Sequence, residues 1–372
     1  MSSAVTAGDY IDSLELMGME FGLDRIHALL AALGHPERDF DAIHVVGSNG
    51  KSSTVRFCEA LLEAEGVATG AYLSPHITTF RERIRLRGEV IGEREYASAV
   101  DAVRDSGLAL TQFEALTGAA LLAFSHAGVE WAVVEAGLGG RLDATNVLAR
   151  SVVQVLTNVS MEHSELLGRS REQIAREKLA VVPEGGYLVI GEPGWEASAP
   201  QAAWTKVVSV GGSYQDQNRA VALAAVEAAL GQPVDPTPIA NLQVPGRLEL
   251  RGRAPLEVWD GAHNPAGMQR LVGELPALLG DRQAVAVFSA LADKDVPTML
   301  SLLKTVCPTV VATSSSNSRS MPAETVASLA GGPVAESPQE ALDAARLLAG
   351  PEGAVVVCGS LYLLNDLNQD PR

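Results

Sequence analysis

The chain has 372 residues, of which 47% are hydrophobic and 20% are charged, a composition typical of a globular enzyme with a large core. Its formal net charge of −17 argues against nucleic acid or an anionic membrane surface as a partner. No apolar run reaches the roughly 18–20 residues of a membrane span, the N-terminus lacks a signal-peptide pattern, and the three cysteines have no metal or disulfide spacing. We therefore expect a cytoplasmic protein.

Apolar runs of strand length alternate with segments of helical periodicity along the chain. A first series of predicted strands covers residues 43–47, 68–72, 131–135, 152–157 and 187–190. A second series covers residues 256–259, 284–288, 309–313 and 354–358. Continuous apolar strands separated by helices predict parallel sheets covered on both faces, with ligands at the carboxyl ends of the strands.

A Pro-Gly pair at Pro245 and Gly246 marks the predicted domain boundary. It lies between a predicted helix at 217–230, which a proline-rich stretch follows, and the second series of strands. The predicted domains are therefore residues 1–245 and 246–372.

The first predicted strand runs directly into Gly-Ser-Asn-Gly-Lys-Ser at residues 47–52, and a helical pattern follows. Glycines at such a place let backbone N–H groups close around phosphate oxygens, and Lys51 supplies a positive charge at a helix N-terminus. The loop is shorter than the standard G-x-x-x-x-G-K-[ST], whose first glycine would fall at Val45. The alternative interpretation is a glycine-rich turn with a solvated lysine.

Polar residues end or follow three other predicted strands. Glu135 closes an apolar strand ahead of a glycine-rich segment, as a Walker B carboxylate does when it positions Mg²⁺. His163 follows a further strand at the same end of the predicted sheet as Lys51 and Glu135, and Ser74 follows a third strand. The simpler alternatives are a solvent-facing glutamate, a structural histidine and a turn serine.

The second series of strands carries its own polar turn. Asp260, His263 and Asn264 follow the strand at 256–259. A carboxylate at this position can accept hydrogen bonds from a ribose, although charged turns of this kind are also common as solvated loops.

Eleven motifs in a fixed order carry a family resemblance. They are FGLDRI (21–26), GSNGKSST (47–54), YLSPHI (72–77), RERIRLRG (81–88), TQFEALT (111–117), VVEAGLGGRLDATNV (133–147), SMEHSELLG (160–168), IAREKLA (174–180), PGRLE (245–249), DGAHNPAG (260–267) and ALADKD (290–295). In this order and spacing the chain resembles the folylpolyglutamate synthase / dihydrofolate synthase family, within the Mur ligase superfamily. The resemblance implies an α/β fold with an N-terminal P-loop Mur-ligase-type ATP-binding domain, which also binds folate, and a smaller C-terminal Rossmann-like α/β domain, the glutamate-ligase domain.

The resemblance also implies roles for individual residues. Those implied to bind ATP are Asn49, Gly50, Lys51, Ser52, Ser53, Asn218, Arg247 and Asp260. Those implied to hold magnesium are Ser74, Glu135 and His163. Those implied to lie along the pterin-bearing substrate are Thr111, Gln112, Phe113, Glu114, Arg141, Leu142 and Asp143. Lys51, Lys178 and His263 are implied to be catalytic, with Lys178 carried as a carbamate and His263 near the incoming glutamate.

The implied activity is an ATP-dependent ligase that adds L-glutamate to dihydropteroate, to reduced folates or to both. An acyl phosphate would be the intermediate, and ADP and phosphate the other products. The implied cofactors are ATP and two magnesium ions. We expect these small molecules to be the only partners, with no nucleic acid or membrane, and the chain to be a monomer.

Two departures from the family pattern concern the site. The usual G-T-N-G-K-G-S is Gly-Ser-Asn-Gly-Lys-Ser-Ser here, and the usual Asp-His is Glu162-His163. Alternatives are a single-activity member of the family or a ligase acting on a peptidoglycan precursor. Other classes are a P-loop NTPase that uses hydrolysis as a switch and a silent binding module.

Overall fold

The computed structural model describes residues 6–14 and 22–369. The chain forms two compact units, Met1–Leu242 and Gln243–Arg372, so the predicted boundary lies beside the division between them. Phe21 of the first motif lies outside the described residues, as do residues 1–5 of the N-terminal pattern. Within the described ranges, every helix is too short or too polar to cross a membrane.

The first unit is built on a single mixed sheet. Its strands are β1 (Asp41–Val46), β2 (Thr69–Tyr72), β3 (Ile84–Leu86), β4 (Glu89–Val90), β5 (Trp131–Glu135), β6 (Ser151–Leu156), β7 (Tyr187–Ile190) and β8 (Trp204–Val207). Their order is β4-β3-β2-β5-β1-β6-β7-β8. The strands from β2 to β8 in this order are parallel, and β3 and β4 continue the sheet in antiparallel pairing.

The register of this sheet positions the site. Val45 pairs with Glu135 on β5, and Val46 pairs with Leu156 on β6. The carboxyl ends of three neighbouring strands therefore meet at the point where β1 ends.

Helices cover this sheet. They are α1 (Ala7–Ser13), α2 (Asp24–Ala32), α3 (Lys51–Ala64), α4 (Glu93–Asp105), α5 (Gln112–His126), α6 (Ser164–Leu167), α7 (Arg171–Leu179) and α8 (Tyr214–Leu230). Helix α3 buries Val55, Cys58 and Leu61, the apolar face that its periodicity predicts. It ends just before Gly66, whose φ of 79° suits glycine.

The second unit carries a smaller sheet. Its strands are β9 (Glu249–Arg253), β10 (Leu256–Trp259), β11 (Ala284–Phe288), β12 (Thr309–Ala312) and β13 (Ala354–Cys358). Their order is β12-β11-β13-β10-β9, parallel except for β9. Its helices are α9 (Pro265–Leu279), α10 (Val296–Leu303), α11 (Ala323–Ala330), α12 (Pro338–Ala349) and α13 (Leu361–Gln369).

The α/β fold class is confirmed, and each of the nine predicted strands lies on an observed strand with ends shifted by at most two residues. Strands β3, β4, β8 and β9 were not predicted because none of them is a continuous apolar run: β8 is exposed throughout, and β9 reads Glu-Leu-Arg-Gly-Arg. Helix α8 begins before its predicted start because Ser213 and Asp216 form a capping box at its N-terminus.

Candidate active site

The phosphate loop, residues 47–50, joins the end of β1 to the first residue of α3. The Gly47 carbonyl oxygen accepts hydrogen bonds from Lys51 Nζ at 2.9 Å and from Lys178 Nζ at 3.0 Å. Lys51 also donates to the Ser48 carbonyl oxygen at 3.3 Å. Two side-chain amine groups therefore meet at one backbone oxygen, and the positive charge of Lys51 suits a polyphosphate even in an acidic protein.

Residues just after β6 hold the phosphate loop in shape. Asn158 Oδ1 accepts from the Asn49 N–H at 3.2 Å, and Asn158 Nδ2 donates to the Asn49 carbonyl oxygen at 2.6 Å. Thr157 Oγ1 donates to the same carbonyl oxygen at 2.8 Å. The Ser48 hydroxyl accepts from the Ser160 N–H at 2.9 Å. A loop ordered in this way loses less conformational entropy when a ligand binds.

Unpaired polar groups at the loop fit an oxygen-rich ligand. Asn49 Nδ2 and Ser53 Oγ are buried and have no hydrogen-bond partner among the described residues. Buried polar groups are nearly always paired in native proteins, so these two are available to a bound phosphate.

Asn218 on α8 packs directly on the phosphate loop. A Cβ added at Gly50 would lie 2.5 Å from Asn218 Oδ1, and the φ of Gly50 is 86°. Asn218 is 4% exposed, and its Nδ2 donates to Gln215 Oε1 at 3.3 Å. The predicted nucleotide residues of the first unit are thus brought together around one loop.

Glu135 is buried at the end of β5 and touches two other predicted residues. Its Oε1 accepts from the Ser52 hydroxyl at 3.1 Å, and its Oε2 accepts from the backbone N–H of Ser74 at 3.1 Å. Because this contact of Ser74 uses its backbone, the role of its hydroxyl as a metal ligand stays a prediction.

Lys178, on α7, is 2% exposed and forms an ion pair with Glu162 Oε1 at 2.8 Å. Burial lowers the pKa of Lys178, an effect that Glu162 opposes and Lys51 reinforces. Burial alone would raise the pKa of Glu162, but Lys178 and Lys51 bring it below its ordinary value. His163 follows in the chain with a φ of 43° and an exposed side chain, and its role as a metal ligand stays a prediction.

Two of the residues predicted to bind the acceptor form the N-terminus of α5. The backbone N–H and the hydroxyl of Thr111 donate to Glu114 Oε2 at 2.8 and 2.9 Å, as in a capping box. Arg25 Nε lies 3.0 Å from both Glu114 carboxylate oxygens. The Glu114 carboxylate is therefore already engaged in starting the helix.

Gln112 and Phe113, which lie between Thr111 and Glu114, have different surroundings. Gln112 Nε2 donates to the Ile11 carbonyl oxygen at 3.0 Å, which ties α5 to α1. The Phe113 ring lies against Gly137, where an added Cβ would be 2.6 Å from Phe113 Cζ, and its centroid is 6.0 Å from that of Tyr72. Phe113, which is predicted to lie along the acceptor, thus adjoins the glycine-rich loop after β5.

In that glycine-rich loop, Arg141 is exposed and its Nε lies 3.1 Å from Glu177 Oε2, while Leu142 is half-buried. Asp143 is buried, and its carboxylate accepts from the N–H groups of Leu138 at 2.7 Å and Thr145 at 2.9 Å. Burial raises the pKa of Asp143, although these hydrogen bonds act in the opposite direction.

The second unit brings together three predicted residues of its own. Asp260 is 5% exposed and accepts from the N–H groups of Leu248 and Ala262, both at 2.8 Å. Arg247 Nη1 lies close to Gly261, since a Cβ there would be 2.4 Å from it. His263 is exposed, with Nδ1 at 2.8 Å from the Gly261 carbonyl oxygen.

The residues of the first unit fit a magnesium ion that shares its ligands with phosphate. Magnesium keeps several waters and is usually held by one or two carboxylates plus phosphate oxygens. Glu135 supplies one such buried carboxylate beside the phosphate loop. Among the described residues, no group of three or more His, Cys, Asp or Glu side chains is arranged to hold a metal ion.

Thr157 and Asn158 have contacts that the sequence analysis did not single out. Their signal in the sequence is a Thr-Asn pair directly after an apolar strand, in the segment that also contains His163. Their partner, Asn49, lies more than a hundred residues earlier in the chain, and only the pairing of β1 with β6 brings it near.

Comparisons with known proteins match this architecture from end to end. Residues 45–227 match the Mur ligase middle domain, and residues 246–361 match the Mur ligase glutamate ligase domain. The chain is 30% identical to the dihydrofolate synthase/folylpolyglutamate synthase of Escherichia coli, over 95% of this chain and 92% of that protein.

Solved structures of related enzymes also match nearly the whole of this chain. E. coli FolC in complex with DHPP and ADP superposes with a TM-score of 0.91 at 29% identity, over 98% of this chain and 97% of that one. A bifunctional folylpolyglutamate synthase/dihydrofolate synthase with Mn, AMPPNP and L-glutamate bound gives a TM-score of 0.89 at 27% identity, over 98% and 97%. The chain belongs to the folylpolyglutamate synthase / dihydrofolate synthase family of the Mur ligase superfamily.

Proposed function

We propose that this chain is an ATP-dependent ligase that joins L-glutamate to the carboxylate of dihydropteroate or a reduced folate. The observation that carries the proposal is that Lys51 and Lys178 both donate to the Gly47 carbonyl oxygen in the phosphate loop. Glu135 is hydrogen-bonded to the first turn of α3, the helix that begins with Lys51. Lys51 is thus complementary to a polyphosphate and the Glu135 carboxylate to a metal ion, and both side chains lie beside the phosphate loop. Relatives whose structures contain ADP, DHPP and L-glutamate support the choice of substrates.

The proposed reaction begins with phosphoryl transfer. Lys51 leaves the carbonyl oxygens of Gly47 and Ser48 and neutralises charge on the phosphoryl group. An oxygen of the acceptor carboxylate forms a bond to the γ-phosphorus of ATP while the bond to ADP breaks. A divalent ion held by Glu135, with Ser74 and His163, would supply further neutralising charge at the phosphates.

Amide formation completes the reaction. The amino group of glutamate attacks the acyl carbon, phosphate leaves, and the nitrogen loses a proton. Asn49, Gly50, Ser52, Ser53 and Asn218 are proposed to hold the nucleotide from the first unit. Arg247 and Asp260 are proposed to hold it from the second unit, and His263 to lie near the incoming glutamate.

Lys178 is proposed to carry a carbamate that helps to hold a second magnesium ion. A neutral amine is needed for addition to CO₂, and the burial of Lys178 favours the neutral form. Lys178→Ala should abolish turnover, and added short carboxylates should restore part of it. Full activity in this variant would remove Lys178 from the mechanism.

The test of the function is phosphate release with ATP, magnesium and glutamate, comparing dihydropteroate, tetrahydrofolate and a peptidoglycan-precursor acceptor. Release should require both an acceptor and glutamate, and the product mass should equal acceptor plus glutamate minus water. Release without either would support the NTPase switch instead. Product with only one pterin acceptor would identify a single-activity enzyme.

The expected cytoplasmic location, the monomeric state and the independence from nucleic acid and membranes stay predictions. Size-exclusion chromatography with light scattering tests the monomer directly, since a dimer would double the measured mass.

A further inference from the structure

A buried chain of hydrogen bonds links β1 to the glycine-rich loop after β5. His44, on β1, lies with Nε2 at 2.8 Å from Thr145 Oγ1. The Thr145 hydroxyl in turn donates to Asp143 Oδ1. These hydrogen bonds are shielded from water, since the exposed fractions are 1% for His44, 0% for Thr145 and 6% for Asp143.

The hydrogens in this chain can be assigned from its donors and acceptors. Thr145 has one hydroxyl hydrogen, and the Asp143 carboxylate takes it. The Thr145 oxygen must then accept from His44, which places the hydrogen on Nε2. Burial lowers the pKa of His44 to about 4, so the ring is neutral at physiological pH, and the hydrogen bond to Thr145 selects the tautomer.

The Asp143 carboxylate is also hydrogen-bonded to the backbone of the loop. Oδ2 accepts from the Leu138 N–H at 2.7 Å, and Oδ1 accepts from the Thr145 N–H at 2.9 Å, so both ends of the loop are fastened to one carboxylate. Asp143 therefore fixes the backbone of the loop, and its place along the acceptor stays a prediction.

The loop held by Asp143 adjoins two parts of the site. Gly137 lies against the ring of Phe113, a residue predicted to lie along the acceptor. Gly140 lies against the backbone of Lys178, where an added Cβ would be 2.6 Å from the Lys178 carbonyl oxygen. A shift of this loop would therefore move the acceptor surface and disturb the helix that carries Lys178.

We infer that His44 and Thr145 are positioning residues of the ligase, which act through Asp143 to hold the loop at 137–146 in the shape that binds the acceptor. The inference rests on the proposed function for the identity of the acceptor. The phosphate loop is held separately, by Thr157 and Asn158. Loss of the His44–Thr145–Asp143 hydrogen bonds should therefore weaken binding of the acceptor more than binding of ATP.

The test compares Thr145→Val, which removes the hydroxyl at nearly constant volume, with Thr145→Ser, which keeps it. Thr145→Val should raise the KM of the pterin acceptor about 10-fold, as expected for a broken buried hydrogen-bond chain, and leave the KM of ATP within about 2-fold. Thr145→Ser should restore the acceptor KM. Equal acceptor KM values in the Val and Ser variants, or an equal rise in both substrates' KM, would overturn the inference.

A second measurement does not depend on turnover. Amide hydrogen exchange of the segment 137–146 in the full chain should speed up in Thr145→Val and not in Thr145→Ser. His44→Leu should act like Thr145→Val, and the double variant should add little to either. Unchanged exchange would contradict the inference, whereas a wild-type chain that ligates no pterin acceptor would contradict the proposed function alone.

Discussion

At the scale of single residues, the site contains two lysines in unlike surroundings. Lys178 is buried and paired with Glu162, whereas Lys51 is half-buried and, within the part of the chain that the structure describes, hydrogen-bonded only to loop carbonyl oxygens. A lysine that leaves neutral carbonyls loses less than one that breaks a buried ion pair. Lys51 is therefore the residue suited to follow a phosphoryl group, and Lys178 the one suited to a fixed position.

Lys51→Ala should lower turnover by about 100-fold or more, because charge on the transferring phosphoryl group loses its nearest mobile partner. The melting temperature should stay near that of the wild type, since Lys178 still occupies the Gly47 carbonyl oxygen. Phosphate release and thermal unfolding measure the two effects. Lys206→Ala, on the exposed strand β8, is the charge-matched control, and full turnover in Lys51→Ala would contradict the assignment.

His44 makes the fold sensitive to acid. Its pKa is lowered from 6.5 to about 4, so the unfolded chain binds a proton in this interval and the folded chain does not. The free energy of unfolding should therefore fall by up to about 3 kcal/mol from this residue as the pH drops from 6.5 to 4. Denaturant unfolding at several pH values should show a smaller fall in His44→Asn. His126→Asn, at an exposed position, is the control, and identical slopes in His44→Asn and wild type would contradict the prediction.

At the scale of elements, the start of α3 is the proposed place of the nucleotide chemistry. The helix begins directly after Gly50, so its first N–H groups and its dipole face the phosphate loop. Asn218 on α8 lies against the loop at Gly50. The shape of the phosphate loop thus depends on how closely α8 approaches Gly50 at the start of α3.

Gly50→Ala tests this approach against a matched glycine at the other end of the helix. Both Gly50 and Gly66 have positive φ, but an added Cβ meets Asn218 Oδ1 at 2.5 Å in the first and nothing within 4 Å in the second. Gly66→Ala should cost about 1 kcal/mol of backbone strain and leave the KM of ATP unchanged. Gly50→Ala should cost more and also raise the KM of ATP. An equal effect of the two changes on ATP would show that Asn218 does not shape the loop.

At the scale of the whole molecule, each unit has its own hydrophobic core. In the first unit one core lies around Phe124 and Leu116 of α5, and another around Ile174 and Leu188. In the second unit the core is built from residues such as Phe288 and Val356. Separate cores indicate that each unit can fold independently.

Residues 243–372 expressed alone should therefore unfold cooperatively on heating, because their sheet and helices bury a complete core. Circular dichroism at increasing temperature measures the transition. A broad, non-cooperative change would mean that the second unit needs the first unit to fold. The isolated unit should release no phosphate from ATP, since it lacks Lys51.

Much of this molecule could be predicted from local sequence. The continuous apolar runs identified the parallel strands, and Gly-Ser-Asn-Gly-Lys identified the phosphate loop, because both depend on residues adjacent in the chain. The four remaining strands were missed because they are short, exposed or charged. Glu114 and Asp143 were predicted to lie along the acceptor, which stays a prediction, and only the structure shows that both carboxylates accept backbone hydrogen bonds.

The sequence by itself determined the fold class, the family and which residues gather at the ends of the strands, since periodicity and motif order are written along the chain. Only the tertiary structure decided that Lys178 reaches the Gly47 carbonyl oxygen, that Asn158 brackets Asn49, and that His44 reaches Asp143 through Thr145. Each of these contacts joins segments about a hundred residues apart. They exist because β1 lies between β5 and β6 in the sheet, an order that no local pattern specifies.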